Sequence, residues 1–139
     1  MIDLAALKNM LRQHENLRLK PYHDSVGKLT IGVGRNLDDR GITNEEAMFL
    51  LETDVTLVLS DLDRVFPWWR TLSDVRQLVL ANMCFNLGIT RLTLFKKFIA
   101  ALQAGEYDLA AAEMLNSKWS SDVGIRATTL AAMMSTNLL

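Results

Sequence analysis

Leu4, Leu7, Met10 and Leu11 recur at helical spacing behind Asp3, whose carboxylate suits an N-cap, so the chain is expected to open with a helix ending near Glu15. The period then changes. From Lys28 to Gly34, Leu29, Ile31 and Val33 alternate with Lys28, Thr30, Gly32 and Gly34, which predicts a strand with one buried face. Residues 18–24 form its expected partner, closed by a three-residue turn at Ser25, Val26 and Gly27 with Gly27 near the left-handed conformation. That turn pairs Asp24 with Lys28 and Tyr22 with Thr30. Asp24 and Thr30 then share one open face, where Gly32 and Gly34 leave room for a bulky molecule.

Helical spacing returns at Thr43, which forms a capping-box pattern with Glu46 ahead of Ala47, Leu50, Leu51, Val55, Val58 and Leu62. Pro67 ends this long bridging helix. Ser73 is placed to cap the next one, residues 74–87, which is apolar on nearly all sides and stops at Gly88; it predicts a buried centre. Further helices are expected over 93–104, 107–116 and 122–134. No tandem repeat, low-complexity tract or flexible linker interrupts the pattern. The expected architecture is α+β, mainly α: one domain over 1–139, with a small N-terminal hairpin lobe joined by the long helix to a larger helical lobe, and a cleft between them. Trp68 and Trp69, directly after Pro67, are expected to pack between the lobes.

A chain of 139 residues, half of them hydrophobic, can bury a real core without disulfides. Its single Cys84, inside the apolar run LVLANMCFNLG, has no internal partner and is expected to pack in that core. Asp3, Lys8 and Arg12 interrupt the start, so neither a secretory apolar region nor a membrane-spanning stretch is expected, and the protein should accumulate in the cytosol. The net charge of −1 is unevenly spread: residues 38–63 hold eight acids and one base, leaving a formal +6 elsewhere. That local excess suits attraction of an anionic polymer as well as it suits ordinary surface charge. Nucleic acid is not an expected partner, because no dense basic stripe, zinc pattern or aromatic-bearing β motif is present.

Candidate chemistry sits in residues 15–34, ENLRLKPYHDSVGKLTIGVG, which place an acid, a second acid and a hydroxyl at Glu15, Asp24 and Thr30. Inverting glycoside hydrolysis requires a protonated carboxylic acid at the leaving oxygen and a carboxylate that activates water on the other face of the sugar. Glu15 ends a helix, where the carbonyl dipole disfavours negative charge, while Asp24 lies beside a solvated turn; such contrasting settings separate acid from base. His14 and His23 precede the two acids, but no short-spacing zinc signature accompanies them.

The Glu, eight residues, Asp, five residues, Thr spacing and the TIGVG strand resemble the catalytic segment of the phage-type lysozymes, the endolysins related to T-even phage lysozyme. The resemblance implies a lysozyme-like fold in which Glu15 is the acid, Asp24 the base and Thr30 the residue that holds the water. It extends to Asn82, Phe85 and Asn86, which share one edge of the central helix and by resemblance line the substrate groove, with Asn86 where the best-known relatives have Gln. Near the C-terminus Ser117, Lys118 and Trp119, then Arg126, continue the match; Lys118 and Trp119 are candidate substrate contacts, and Trp119 is expected in the core with an exposed edge. The role implied for Arg126 is an ion-paired hydrogen bond that orients Glu15. Departures include Arg35 after TIGVG, where relatives often have His, and an end at Leu139 where some continue into another helix.

The resemblance implies a muramidase that hydrolyses the β-1,4 bond between N-acetylmuramic acid and N-acetylglucosamine in bacterial peptidoglycan, inverting and without cofactor or metal. A phage endolysin of this kind, expected as a monomer, would stay in the host cytoplasm until a holin-type membrane-permeabilising partner released it to the periplasm or wall. The alternatives are a lytic transglycosylase, in which a single acid suffices, and an inactive wall-binding module of lysozyme fold.

Overall fold

The computed structural model describes every residue from Met1 to Leu139, and the chain divides into two compact units, Met1–Leu50 and Leu51–Leu139. In the first unit α1 spans Leu4–Glu15 and starts as expected, with Asp3 Oδ1 accepting the Ala6 amide at 3.0 Å. Asn16, at φ 62°, ends it and turns the chain into a sheet. The apolar positions of α1 do not form a buried stripe: Leu7 is half-buried, while Leu4, Met10 and Leu11 are exposed.

The sheet is antiparallel and three-stranded, ordered β1 (Leu17–His23), β2 (Leu29–Val33) and β3 (Arg35–Asn36). Tyr22 stands opposite Thr30, the Asp24 amide donates to the Lys28 carbonyl at 2.9 Å, and Gly27 has φ 85°, so the expected register and turn are present. Further down, the register slips: Arg18 faces Gly32, and residues 19–21 stand against Ile31 alone. Pro21, which has no amide hydrogen to give the ladder, lies in this slip. The third strand lies beyond the expected hairpin. Gly32 and Gly34, both at φ 69°, reverse the chain so that Ile31 pairs with Arg35.

The expected buried face of Leu29, Ile31 and Val33 is not observed. Leu29 and Ile31 are half-buried and Val33 is exposed, whereas Thr30, expected on an open face, is 3% exposed. Its position explains this, since in the middle strand it is flanked by Tyr22 on β1 and Asn36 on β3.

Helix α2 (Asn44–Val65) opens with both bonds of the expected capping box: Thr43 N–H donates to Glu46 Oε1 at 2.9 Å and the Glu46 amide to Thr43 Oγ1 at 3.1 Å. The same Glu46 oxygen takes Arg35 Nη1 at 2.8 Å, tying β3 to the start of α2. The Arg35 guanidinium, then the Thr43 amide, hold the Glu46 carboxyl down to about 2 from an ordinary 4.5.

The second unit carries the apolar core. Helix α3 (Asp74–Leu87) begins at Ser73, whose Oγ accepts the Arg76 amide at 3.3 Å, ends at Gly88 with φ 80°, and buries Val79, Leu80, Met83, Cys84 and Leu87. Around it lie α4 (Ile89–Leu92), α5 (Lys96–Gln103), α6 (Tyr107–Leu115), α7 (Lys118–Val123) and α8 (Ile125–Thr136). The helix expected over 93–104 starts at Lys96, because residues 93–95 complete the turn after α4. The one expected over 122–134 is broken at Gly124, φ 59°, which separates α8 from the short α7 capped by Ser117. Phe98, Leu102, Met114 and Met134 complete the centre with Leu62 and Trp69.

Trp69 is 2% exposed and its indole N–H donates to Asp63 Oδ1 at 2.7 Å, so it belongs to the core of the second unit. Burial, with Asp61 nearby, pushes the Cys84 thiol up to about 11. No helix is long and apolar enough to cross a membrane.

Candidate active site

The β1–β2 turn is built around the backbone of one residue. Lys28 donates its backbone N–H to Asp24 Oδ1 at 2.8 Å, and its carbonyl accepts both the Asp24 amide at 2.9 Å and the Thr30 hydroxyl at 2.9 Å. Val26 adds a second amide to Asp24 Oδ1 at 3.0 Å. Oδ1 is thus consumed by the turn, which fixes the carboxylate plane and leaves Oδ2 to take a proton. Thr30 has committed its own hydrogen to a carbonyl, so its oxygen faces any incoming water as an acceptor.

The acidic segment braces this turn from behind. Asp38 Oδ2 accepts the Leu29 amide at 2.7 Å, and Asp39 takes Lys28 Nζ at 3.1 Å and Asn36 Nδ2 at 2.9 Å. The Asp39 carboxylate, through that hydrogen bond, raises the Lys28 ammonium above its ordinary value. These acids do more than solvate a surface: they pin the start of β2.

Glu15 is the last residue of α1 and is exposed. α1 rests against β2, and the Glu15 side chain lies over Gly34, its Oε2 2.8 Å from where a Cβ would stand on that residue. Gly34 is the functional candidate the sequence reading passed over, treating it as empty space on a strand face. The second glycine of TIGVG carries no signal by itself; its positive φ and its contact with Glu15 emerge only in the fold. No group of three or more His, Cys, Asp and Glu side chains converges to hold a metal.

In the second unit Asn82, Phe85 and Arg126 line one groove of about 300 Å³, with Leu51, Val55 and Leu78 among its apolar walls. Arg126 donates Nε and Nη2 to Asn82 Oδ1 at 2.9 and 2.7 Å, a two-pronged contact that fixes both groups. Phe85 is 44% exposed on the same helix edge, as the spacing predicted. Asn86, one position on, accepts the Trp119 indole N–H at 2.8 Å. Trp119 itself is 3% exposed and stands edge-on to Phe95, so the exposed edge expected of it is absent. Lys118 and Trp119 border a second cavity of about 190 Å³ with Arg91, Leu94 and Phe95. Asn82 thus lines the first groove beside Phe85, while Asn86 is tied to Trp119.

The chain is 28% identical to the pre-baseplate central spike protein of Enterobacteria phage T4, over 96% of its own length but only 28% of that protein's. It is 24% identical to a probable T4-type lysozyme of Dictyostelium discoideum, covering 98% of this chain and 97% of the relative. An endolysin of Acyrthosiphon pisum secondary endosymbiont phage 1 shares 30% identity over 80% of this chain and 75% of its own. The family model described as phage lysozyme matches residues 12–134, which takes in Glu15, Asp24, Thr30, the central helix and Arg126. The chain belongs to the phage lysozyme family and is a glycoside hydrolase of that type.

Proposed function

We propose that the chain is an inverting muramidase, hydrolysing the β-1,4 bond between N-acetylmuramic acid and N-acetylglucosamine in bacterial peptidoglycan. The observation that carries this reading is the Lys28 backbone, whose N–H and carbonyl hold Asp24 and Thr30. Glu15 gives its proton to the bridging oxygen. Asp24 Oδ2 accepts a proton from water, and the Thr30 oxygen accepts that water's other hydrogen, which points its lone pair at the anomeric carbon. Thr30, at 3% exposure, is too enclosed to meet a sugar directly. The pairing of base and acceptor is unneeded by a lytic transglycosylase, whose nucleophile is the sugar's own hydroxyl.

Asn82, Phe85, Asn86 and Lys118 serve as substrate contacts in this reading, with Gly32 leaving clearance on the sheet. Trp119 acts on the substrate through Asn86, whose amide it orients, and Arg126 holds Asn82 in the same way. In this reading the enzyme is a monomer that reaches the wall through a holin-type partner, and the relatives named endolysins support the lytic role alone. The chain spans only 28% of the length of the spike relative it matches.

Product analysis on purified peptidoglycan tests the proposal. Reducing muramic acid ends, first released as the α-anomer, are expected. Anhydro ends would assign transglycosylation, a β-anomer retention, and binding without release an inactive wall-binding module.

A further inference from the structure

We infer that Gly34 is a positioning residue for the acid: the volume its side chain would fill is where the Glu15 carboxyl group is seated. An ideal Cβ on Gly34 would lie 2.8 Å from Glu15 Oε2, 3.0 Å from Cδ and 3.1 Å from Cγ, and these are its three nearest neighbours. Gly32 shows that the turn alone does not demand this. It has the same φ of 69°, yet a Cβ there would meet nothing within 4 Å. Gly27, Gly88 and Gly124 also open onto free space. Within the first unit no side chain donates a hydrogen bond to the Glu15 carboxylate, so its place is set by packing on bare backbone. A methyl group on Gly34 would displace the end of a flexible side chain before it displaced the strand, and the end displaced is the reacting one.

This inference rests on Glu15 being the acid, and the experiment separates the two. Gly34→Ala is compared with Gly41→Ala, which imposes a similar left-handed strain at φ 61° but whose Cβ would reach only the Leu37 carbonyl, at 4.0 Å. Gly34→Ala is expected to lower kcat on soluble wall fragments about 10–100-fold with KM within about twofold, as a misplaced catalytic group does. Gly41→Ala should keep parental kcat. The Glu15 carboxyl resonance, followed by carbon NMR across pH, should change in Gly34→Ala and not in Gly41→Ala. Equal kcat in the two variants with an unmoved Glu15 resonance overturns the inference. A folded Glu15→Gln that clears walls at the parental rate would instead remove Glu15 as the acid, while the resonance still reports the contact. If Gly34→Ala melts too low to assay, Glu15→Ala is added: the loss from Gly34→Ala should then shrink to that of Gly41→Ala, and a loss that persists overturns the seat.

Discussion

From Leu62 to Met134 the second unit closes over leucine, methionine and aromatic side chains, whereas in Met1–Leu50 the one residue buried to the same degree is a threonine. The first unit is held instead by directed bonds: the Asp3 cap, the Lys28 backbone, Asp38 and Asp39 behind β2, and the Arg35–Glu46 pair. Apolar burial is proportional to area and indifferent to direction, so it stabilises without aiming anything. Hydrogen bonds aim, and each contributes little net stability. A unit built the second way can hold a carboxylate plane and a hydroxyl lone pair in set directions, at low cost in residues, while the other supplies most of the apolar stabilisation.

If that division is right, the largest separable effect belongs to Glu15→Gln, which should cut wall clearing about 10²–10⁴-fold with the melting temperature unchanged. Clearing and circular dichroism measured on one sample decide it. Leu80→Ala, a fully buried position, should do the reverse, costing about 2–5 kcal/mol in denaturant unfolding while the folded fraction keeps its kcat. Leu4→Ala, at a 60% exposed site, should stay within about 0.5 kcal/mol. A Leu4 loss matching that of Leu80 would break the comparison.

A smaller and sharper effect is expected between Asp24 and Thr30. Asn in place of Asp24 keeps an oxygen for the Val26 and Lys28 amides, so the turn survives while the base is lost; Thr30→Val deletes the water acceptor at nearly constant size. If both act on one water, the losses of kcat in the double variant should fall short of the sum of the singles in free energy. Fully additive losses would assign the two residues to separate steps.

The smallest effect concerns Arg35 and Glu46. Because the folded Glu46 carboxyl titrates at about 2 and an ordinary one at 4.5, its contribution to stability is complete above 4.5 and is lost as pH falls through about 2. Arg35→Met should therefore melt below the parent by a constant margin from neutral pH to about 5, and the margin should close on further acidification. A margin equal at pH 2 and pH 6 would show that Arg35 acts through its contact with the Gly41 carbonyl and not through the carboxylate.

Short-range chemistry was the legible part of this molecule. The Asp3 cap, the Thr43–Glu46 box, the Ser25-Val26-Gly27 turn and the bounds of α3 each depend on residues within a few positions of one another, and each is present as the sequence implied. What escaped depends on contacts across the chain. Thr30 is buried because β3 pairs on its far side, and β3 is two residues long, too short to show alternation. The slip beside Pro21 needs both strands to be seen together, and Gly124 breaks α8 from α7 within a run that reads as continuous. In the candidate site Glu15, Asp24 and Thr30 were singled out by their spacing and the resemblance it carries. Gly34 was not, since an absent side chain has no pattern until its neighbour is known.

Cys84 has a practical consequence. A thiol pushed up to about 11 and 1% exposed is protonated, and nearly inert to alkylating reagents, at neutral pH. The natural chain thus behaves toward maleimides almost as if it were cysteine-free. Any cysteine placed on the surface becomes a unique attachment point for a fluorophore or spin label, with no need to disturb the core that Cys84 helps to fill.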